Sequence, residues 1–261
     1  MNELTHQFRG DILRSVQVNG LALVDQHTQR GGVLPRHCHS HAWFTFLFAG
    51  SYIERLPSSE RRCVAGMVIW HPPDLVHENH FISDGHNLNL VFEPWWLESL
   101  PPDESLPGKI LSWEGGLAYR FGLELYRGLN RDSQVSQESV INLISLCASS
   151  AHTHRHTRWL ARVLEWMNDE YSSALTLTEA SEQAGVHPVH ISRSFRNLLG
   201  CTFREYLALI RLRRATDLLK RSSTDITEIA LMCGFSDHAH FTRTFKRATG
   251  LTPTGYRIQR G

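Results

Sequence analysis

Between about Gly20 and Phe92 the apolar residues come in short runs broken by glycine and proline. "AWFTFLFAGSYIERL" is aromatic and β-branched, "CVAGMVIWHP" is a second apolar run, and "HNLNLVFEP" alternates at Leu88, Leu90 and Phe92. Short strands with frequent turn signals predict a β-barrel or sandwich. After the proline-rich "EPWWLESLPPDESLPG" the spacing lengthens to that of a helix. Leu117, Phe121, Leu125 and Leu129 make one predicted helical stripe. Val140, Leu143, Ile144 and Cys147 make a second, with Ser136 as its cap. From Trp159 onward helices follow one another with short breaks. The expected architecture is α+β and multidomain: a β-rich part at 1–115, a helical linker at 116–157, and an all-α part at 158–261.

The all-α part repeats itself. Leu177-Thr178-Glu179 matches Ile226-Thr227-Glu228 and Gly185 matches Gly234, while "SRSF" (192–195) matches "TRTF" (242–245) and Gly200 matches Gly250. One supersecondary unit is used twice, and each copy reads helix, glycine turn, helix. Thr178 or Thr227 would cap the first helix of each unit. In the second helices Ile191 and Phe195, and likewise Phe241 and Phe245, are predicted to face inward. That leaves Val189, Ser192, Arg193 and Arg196 outside in one unit, and His238, His240, Thr242, Arg243 and Lys246 outside in the other. Between them "REYLALIRLRRATDLLKRS" reads as a long amphipathic helix that fixes their separation, with Leu207, Ile210, Leu218 and Leu219 on its apolar side.

Charge sharpens this division. Residues 158–261 hold 15 Lys and Arg against 10 Asp and Glu, and residues 1–157 hold 12 against 16. Thirteen of the 15 are arginine, the side chain suited to phosphate and guanine. The imbalance points to a nucleic-acid partner for the second part. No apolar run approaches the ~18 residues of a membrane span, and "MNELTHQFRGDIL" lacks the apolar stretch of a signal peptide. Five scattered cysteines without a CxxC pair fit a reducing compartment. A cytoplasmic protein is expected. Cys38 is read as a packed strand residue. The alternating His152, His154 and His156 are read as linker polarity rather than a metal tract.

Residues 159–258 resemble the DNA-binding domain of AraC/XylS-type transcriptional regulators. The most characteristic stretch stands here as "IAxxCGFSDxxHFTRTFKRATGLTPTGYR", from Ile229 to Arg257. The resemblance implies that the second helix of each unit enters the major groove of promoter DNA. Val189, Ser192, Arg193 and Arg196 would then face DNA from one unit, and His238, His240, Thr242, Arg243 and Lys246 from the other. Val189 would suit a thymine methyl, and the arginines would suit guanine. Pro188 stands where a polar residue is common, which costs a phosphate contact but not the helix. Two readers in one chain would sit about 10 base pairs apart. The second would read bases more weakly, because Ala239 offers no hydrogen bond. A homodimer joined through the helices of 116–150, RNA polymerase, and a small-molecule or metal effector are the further partners implied.

The first part resembles the cupin-like sensor domain of the same regulators. His37 and His39 fill the HxH of the cupin pattern, Trp43 stands where its glutamate belongs, and Gly50 closes the first motif. Gly66, Pro72 and His77 match the second, with Asp74 for a glycine and Phe81 for an asparagine. His41 falls outside the pattern. The resemblance would bring His37, His39 and His77 together at the barrel mouth, where three imidazoles suit a divalent ion, zinc first. Three readings stay open: a metal site, hydrogen-bonding groups in an organic effector pocket, or relics packed in a barrel. Trp43, Phe44, Trp70 and Phe92 are candidate pocket walls. The rival function is a metal-dependent cupin enzyme, a dioxygenase or isomerase, fused to a helical module; the missing carboxylate counts against it. A regulator that has lost its effector is the third option.

Overall fold

In a computed structural model, residue 8 and residues 11–100, 106–130, 137–149 and 158–260 are described. Ser136 and the histidines at 152, 154 and 156 lie outside them. Nine strands come first: β1 (Asp11–Val18), β2 (Leu21–Thr28), β3 (Val33–His37), β4 (Ala42–Ala49), β5 (Ser51–Leu56), β6 (Ser59–Val64), β7 (Met67–His71), β8 (His77–Phe81) and β9 (Gly85–Phe92). A short helix, α1 (Pro94–Glu98), and a last strand, β10 (Leu111–Glu114), follow. The strands form two antiparallel sheets, a large one ordered β1-β2-β9-β4-β7-β10 and a small one ordered β3-β8-β5-β6. Among the described residues no ladder joins one sheet to the other, so the expected closed barrel is an open two-sheet arrangement.

Two faces of the large sheet do different work. Strand alternation sends neighbours to opposite sides. One face carries Leu23, Phe44, Phe46, Phe48, Trp70, Leu88, Leu90 and Phe92 into the core shared with the helices. The other carries Ala22, Val24, Trp43 and Val91 toward the small sheet. Cys38, expected to be packed within a strand, is exposed just beyond the end of β3.

The helices are α2 (Gly116–Asn130), α3 (Gln137–Ser149), α4 (Arg158–Asp169), α5 (Leu177–Ala184), α6 (Pro188–Ser194), α7 (Phe203–Arg221), α8 (Ile226–Met232), α9 (His238–Thr249) and α10 (Pro253–Arg260). The stripes predicted for α2 and α3 are buried at Leu125, Leu129, Val140, Leu143, Ile144 and Cys147, but Leu117 opens the first at 57 % exposure. None of these helices is long and apolar enough to cross a membrane. A π-helical turn at 195–199 continues α6. Gly185 and Gly234 turn the chain between α5 and α6 and between α8 and α9 at φ 66° and 76°, a region open to glycine at little cost. The caps sit upstream of the threonines predicted. Thr176 accepts from Glu179 N in a reciprocal capping box, and Asp225 accepts from Thr227 N.

Candidate nucleic-acid interface and histidine cavity

Residues 191–200 and 241–250 repeat one burial pattern position by position. Ile191 and Phe241 are fully buried, as are Phe195 and Phe245. Ser192 and Thr242 are half-buried, whereas Arg193, Arg243, Arg196 and Lys246 are exposed. Val189 is 51 % exposed on the first turn of α6, and His238 and His240 are exposed on the first turn of α9. Val189, Arg193, Arg196, His238, His240, Arg243 and Lys246 therefore stand on the outer side of their helices, whereas the Thr242 hydroxyl is buried without a hydrogen-bond partner among the described residues. Local hydrogen bonds aim some of them. Asp237 caps α9 by accepting from His240 N at 2.6 Å, and Ser236 Oγ lies 3.1 Å from His240 Nδ1. At the start of α6, His187 Nδ1 accepts from Val189 N at 3.3 Å. Pro188 takes the first turn without disturbing the helix.

The second candidate site lies between the two sheets. His37 and His77 are cross-strand partners in the β3–β8 ladder. The strand ends at His37, and His39 reaches the same place from the following segment, buried to 6 % exposure. One ring nitrogen from each of the three lies within 4.8 Å of the others. His37 Nδ1 is 2.7 Å from the Pro35 carbonyl and His77 Nδ1 is 2.9 Å from that of Leu75. A carbonyl only accepts, so each Nδ1 carries the hydrogen and each Nε2 keeps its lone pair. That is the tautomer in which metal-bound imidazoles are held. Burial, reinforced by the neighbouring imidazoles, pushes His39 down to about 3. Burial also pushes His77 down to about 4, against the pull of the Leu75 carbonyl. Both are neutral near pH 7, as a ligand must be. A tetrahedral zinc with nitrogens ~2.05 Å away would set them roughly 3.4 Å apart; side-chain shifts on the order of 1 Å would close the difference.

The cavity behind the histidines has a volume of about 40 Å³. Trp43 lines it, stacked on His71 at 4.2 Å with an interplanar angle of 4°. Thr45, Asn89 and Gln26 form a chain of hydrogen bonds at 2.8 and 3.1 Å along its floor. Asn87 Oδ1 and Asn79 Oδ1, also in its walls, are buried without a hydrogen-bond partner among the described residues. Phe44, Trp70 and Phe92, proposed with Trp43 as pocket walls, are not there. Each sits on the opposite face of the large sheet, packed toward the helices. His41 turns away to Glu93, 3.5 Å distant.

A buried charge chain went unnoticed in the sequence. Glu54 is fully buried and accepts from Arg61 Nε at 2.7 Å, with His71 Nε2 3.0 Å from its other oxygen. Burial would raise the Glu54 carboxyl, but His71 and Arg61 overcome that and hold it down at about 2. The signal was available: a two-residue turn at 57–58 places Glu54 opposite Arg61 and Arg55 opposite Glu60.

Comparison with known proteins bears on the C-terminal part. A family model described as a helix-turn-helix domain matches residues 180–259. An uncharacterized HTH-type transcriptional regulator, YpdC of Escherichia coli, is 26% identical over 223 residues, covering 79% of this chain and 78% of that protein. The HTH-type transcriptional regulator GlxA of Rhizobium meliloti is 41% identical over 102 residues, or 39% of this chain but 32% of its own length. A solved transcriptional regulator from Chromobacterium violaceum, with an AraC-type DNA-binding domain, shares 31% identity and a TM-score of 0.39 over 40% of this chain and 93% of its own. Residues 180–259 thus match a helix-turn-helix domain, and relatives that share this part of the chain are named as HTH-type transcriptional regulators.

Proposed function

We propose, from this helix-turn-helix domain, that the protein regulates transcription by binding a specific promoter sequence through both helical units, under control of its N-terminal sheets. The observation that carries the reading is the shared burial pattern of 191–200 and 241–250, which presents Arg193 and Arg243 alike. Ser192, His238 and His240 supply the remaining polar contacts, Val189 an apolar one, and Arg196 and Lys246 the phosphate contacts. α7 spaces the readers for successive major grooves. Selection of duplexes from a random pool tests this: the expected consensus has two half-sites about 10 base pairs apart. A pool that stays random after repeated selection overturns it.

For the N-terminal part, the tautomers of His37 and His77 favour a divalent ion, zinc first, held by His37, His39 and His77. Three nitrogens leave a fourth position for an effector atom, and the ion supplies a fixed positive charge there. Metal analysis of the purified chain is expected to give near-stoichiometric zinc, lost in His77→Ala and retained in His41→Ala. No metal in the parent after incubation with zinc overturns the metal reading and leaves an organic pocket. An enzymatic role finds less support, because Glu54, the carboxylate paired with His71 of the cavity wall, is also bound to Arg61. A homodimer and contact with RNA polymerase complete the proposal.

A further inference from the structure

The helix that leaves the sheets, α2, touches both readers. Gly115, just before it, comes so near Leu198 of the π-helical turn that a Cβ would stand 3.0 Å away. Arg120 lies across Gly200, where φ is 65° and a Cβ would overlap the arginine's Nε. Tyr119 is fully buried, with its hydroxyl 3.2 Å from that of Tyr206 on α7. α2 also packs against α9, the helix of the second reader. Its position is therefore fixed by contact with both units.

A gap of about 470 Å³ lies where α2, α7 and α9 meet. Arg127 lines it from α2, Gly200, Glu205 and Thr216 line it from α7 and the turn before, and Thr244 and Arg247 line it from α9. Arg127 is half-buried and Arg247 is exposed. Arg247 follows Arg243 by about one helical turn, next to Lys246 on the exposed side of α9. Arg127 and Arg196 flank the same carboxylate. Glu205 is held below the usual range first by its hydrogen bonds with Thr202 and then by those two charges. That carboxylate is already engaged, accepting from Thr202 N at 2.7 Å. Glu124, exposed one turn back on α2, is not among the residues lining the gap. A basic edge thus runs from Arg196 of the first reader through Arg127 to Arg247 and Lys246 of the second.

B-DNA geometry decides what would face such an edge. Readers in successive major grooves on one face of a duplex stand one helical turn apart, about 34 Å. Between them pass the minor groove and the two sugar-phosphate strands that border it. The duplex carries one negative charge per ~1.7 Å of its axis. Cations placed between the readers therefore meet phosphates before they meet bases.

We propose that Arg127, together with Arg247, grips the phosphate backbone between the two reading helices, so that α2 is part of the DNA interface. This contact rests on the DNA-binding reading and adds to it an element outside the repeated units. Phosphate contacts position a protein without reading sequence, so their loss is felt equally on all duplexes and depends on salt. The test is binding of the full-length chain to its selected duplex and to an unrelated one across a salt series. Arg127→Gln is expected to weaken both about fivefold at about 0.15 M salt and to flatten the slope of log affinity against log salt by about 0.9, the loss of one phosphate contact. Arg127→Lys is expected to keep the parental slope, since a point charge still binds a phosphate. Arg247→Gln is expected to repeat the loss from the opposite wall. An unchanged slope in Arg127→Gln overturns the contact, and a fall in affinity at that constant slope marks Arg127 as a packing partner of Glu205. A loss confined to the selected duplex overturns it as well, because that is base reading. A parent that selects no duplex sinks the DNA reading and this contact with it, a result distinct from a parent that binds and a variant that matches it. Should Arg127→Gln fail to fold, ethylation interference on the parent carries the test. Phosphates between the two half-sites are expected to be required, and full tolerance of ethylation there overturns the proposal.

Discussion

The two helical units share a burial pattern across ten consecutive positions and differ in what lies beneath it. Ile191, Phe195 and Leu199 of the first belong to a core that runs on through Phe203 and Tyr206 to Phe44, Phe46 and Phe48 of the large sheet. Phe241 and Phe245 of the second close on Leu212, Ala215, Leu219, Ile229 and Tyr256, a core of their own. A repeated motif thus fixes an outer face and its local supports, while its coupling to the rest of the molecule depends on residues outside the repeat. Tyr206 makes the difference concrete: its hydroxyl donates to the Phe48 carbonyl at 2.7 Å, tying the first unit's core directly to the large sheet.

The sharpest break of this comparison comes from truncating one buried ring in each unit. Phe195→Ala and Phe245→Ala are each expected to cost about 3–5 kcal/mol, the usual range for a buried phenylalanine. All seven tryptophans lie at or before Trp166, so their fluorescence reports on the shared core and not on the second unit. In urea, Phe195→Ala is expected to shift fluorescence and far-ultraviolet dichroism together. Phe245→Ala is expected to split them, with helix lost first and fluorescence following at its parental midpoint. Coincident curves for Phe245→Ala would mean that the two cores unfold as one.

Comparable in size is the effect of uncoupling the charge chain between the sheets. Glu54→Ala leaves the half-buried Arg61 without its counter-charge and the buried His71 Nε2 without its partner, at a cost of about 3–5 kcal/mol. The pH dependence follows from the depressed carboxyl of Glu54. Its stabilisation is fully present above the unfolded value of 4.5 and is lost as pH falls through its folded value of about 2. Acid titration followed by tryptophan fluorescence is expected to show the parent losing stability across that window and Glu54→Gln losing less of it. Parallel acid curves for the two proteins would contradict the assignment.

At the proposed DNA face the units are expected to act alike in kind. Arg193→Ala and Arg243→Ala should each weaken binding to the selected duplex by about 1–3 kcal/mol and relax one position of the site. Lys246→Ala should weaken all duplexes evenly and flatten the salt dependence. A larger loss at Arg193 than at Arg243 would fit the poorer hydrogen-bonding capacity of Ala239, and equal losses would remove that asymmetry. If neither arginine matters, the outer faces of α6 and α9 are not the reading surfaces.

How far the sequence carried depends on the range of the interaction. The glycine turns, the inward rings and the outer polar faces recur at fixed spacing and were legible, as was the convergence of His37 and His77 once a resemblance supplied the pairing. Pocket membership was not. Phe44, Trp70 and Phe92 were grouped with Trp43 by aromatic character, yet Phe44 is the immediate neighbour of Trp43 on a strand and must point the other way. Strand parity alone would have rejected that one; for the others the ladder register was needed, with Trp70 and Leu90 opposite Phe44. The grip of β1 and β2 on α7 joins residues some 200 positions apart, such as Arg221 and Asp11, and nothing local announces it.

The smallest effects separate the units at their entrances. Thr176 and Glu179 satisfy each other reciprocally at the start of α5, whereas Asp225 makes a single cap bond, at 2.7 Å, at the start of α8. Removing either cap costs about 1 kcal/mol. The consequence differs, because α5 packs on α4 within the shared core and α8 belongs to the smaller one. Thr176→Ala is expected to lower the whole unfolding transition slightly. Asp225→Ala should leave that transition alone and speed amide exchange across 226–232 only, since a small local core has less to hold a frayed helix start in place. Exchange spreading from 226–232 into 177–184 would show that the second unit is not the separate lobe its core suggests.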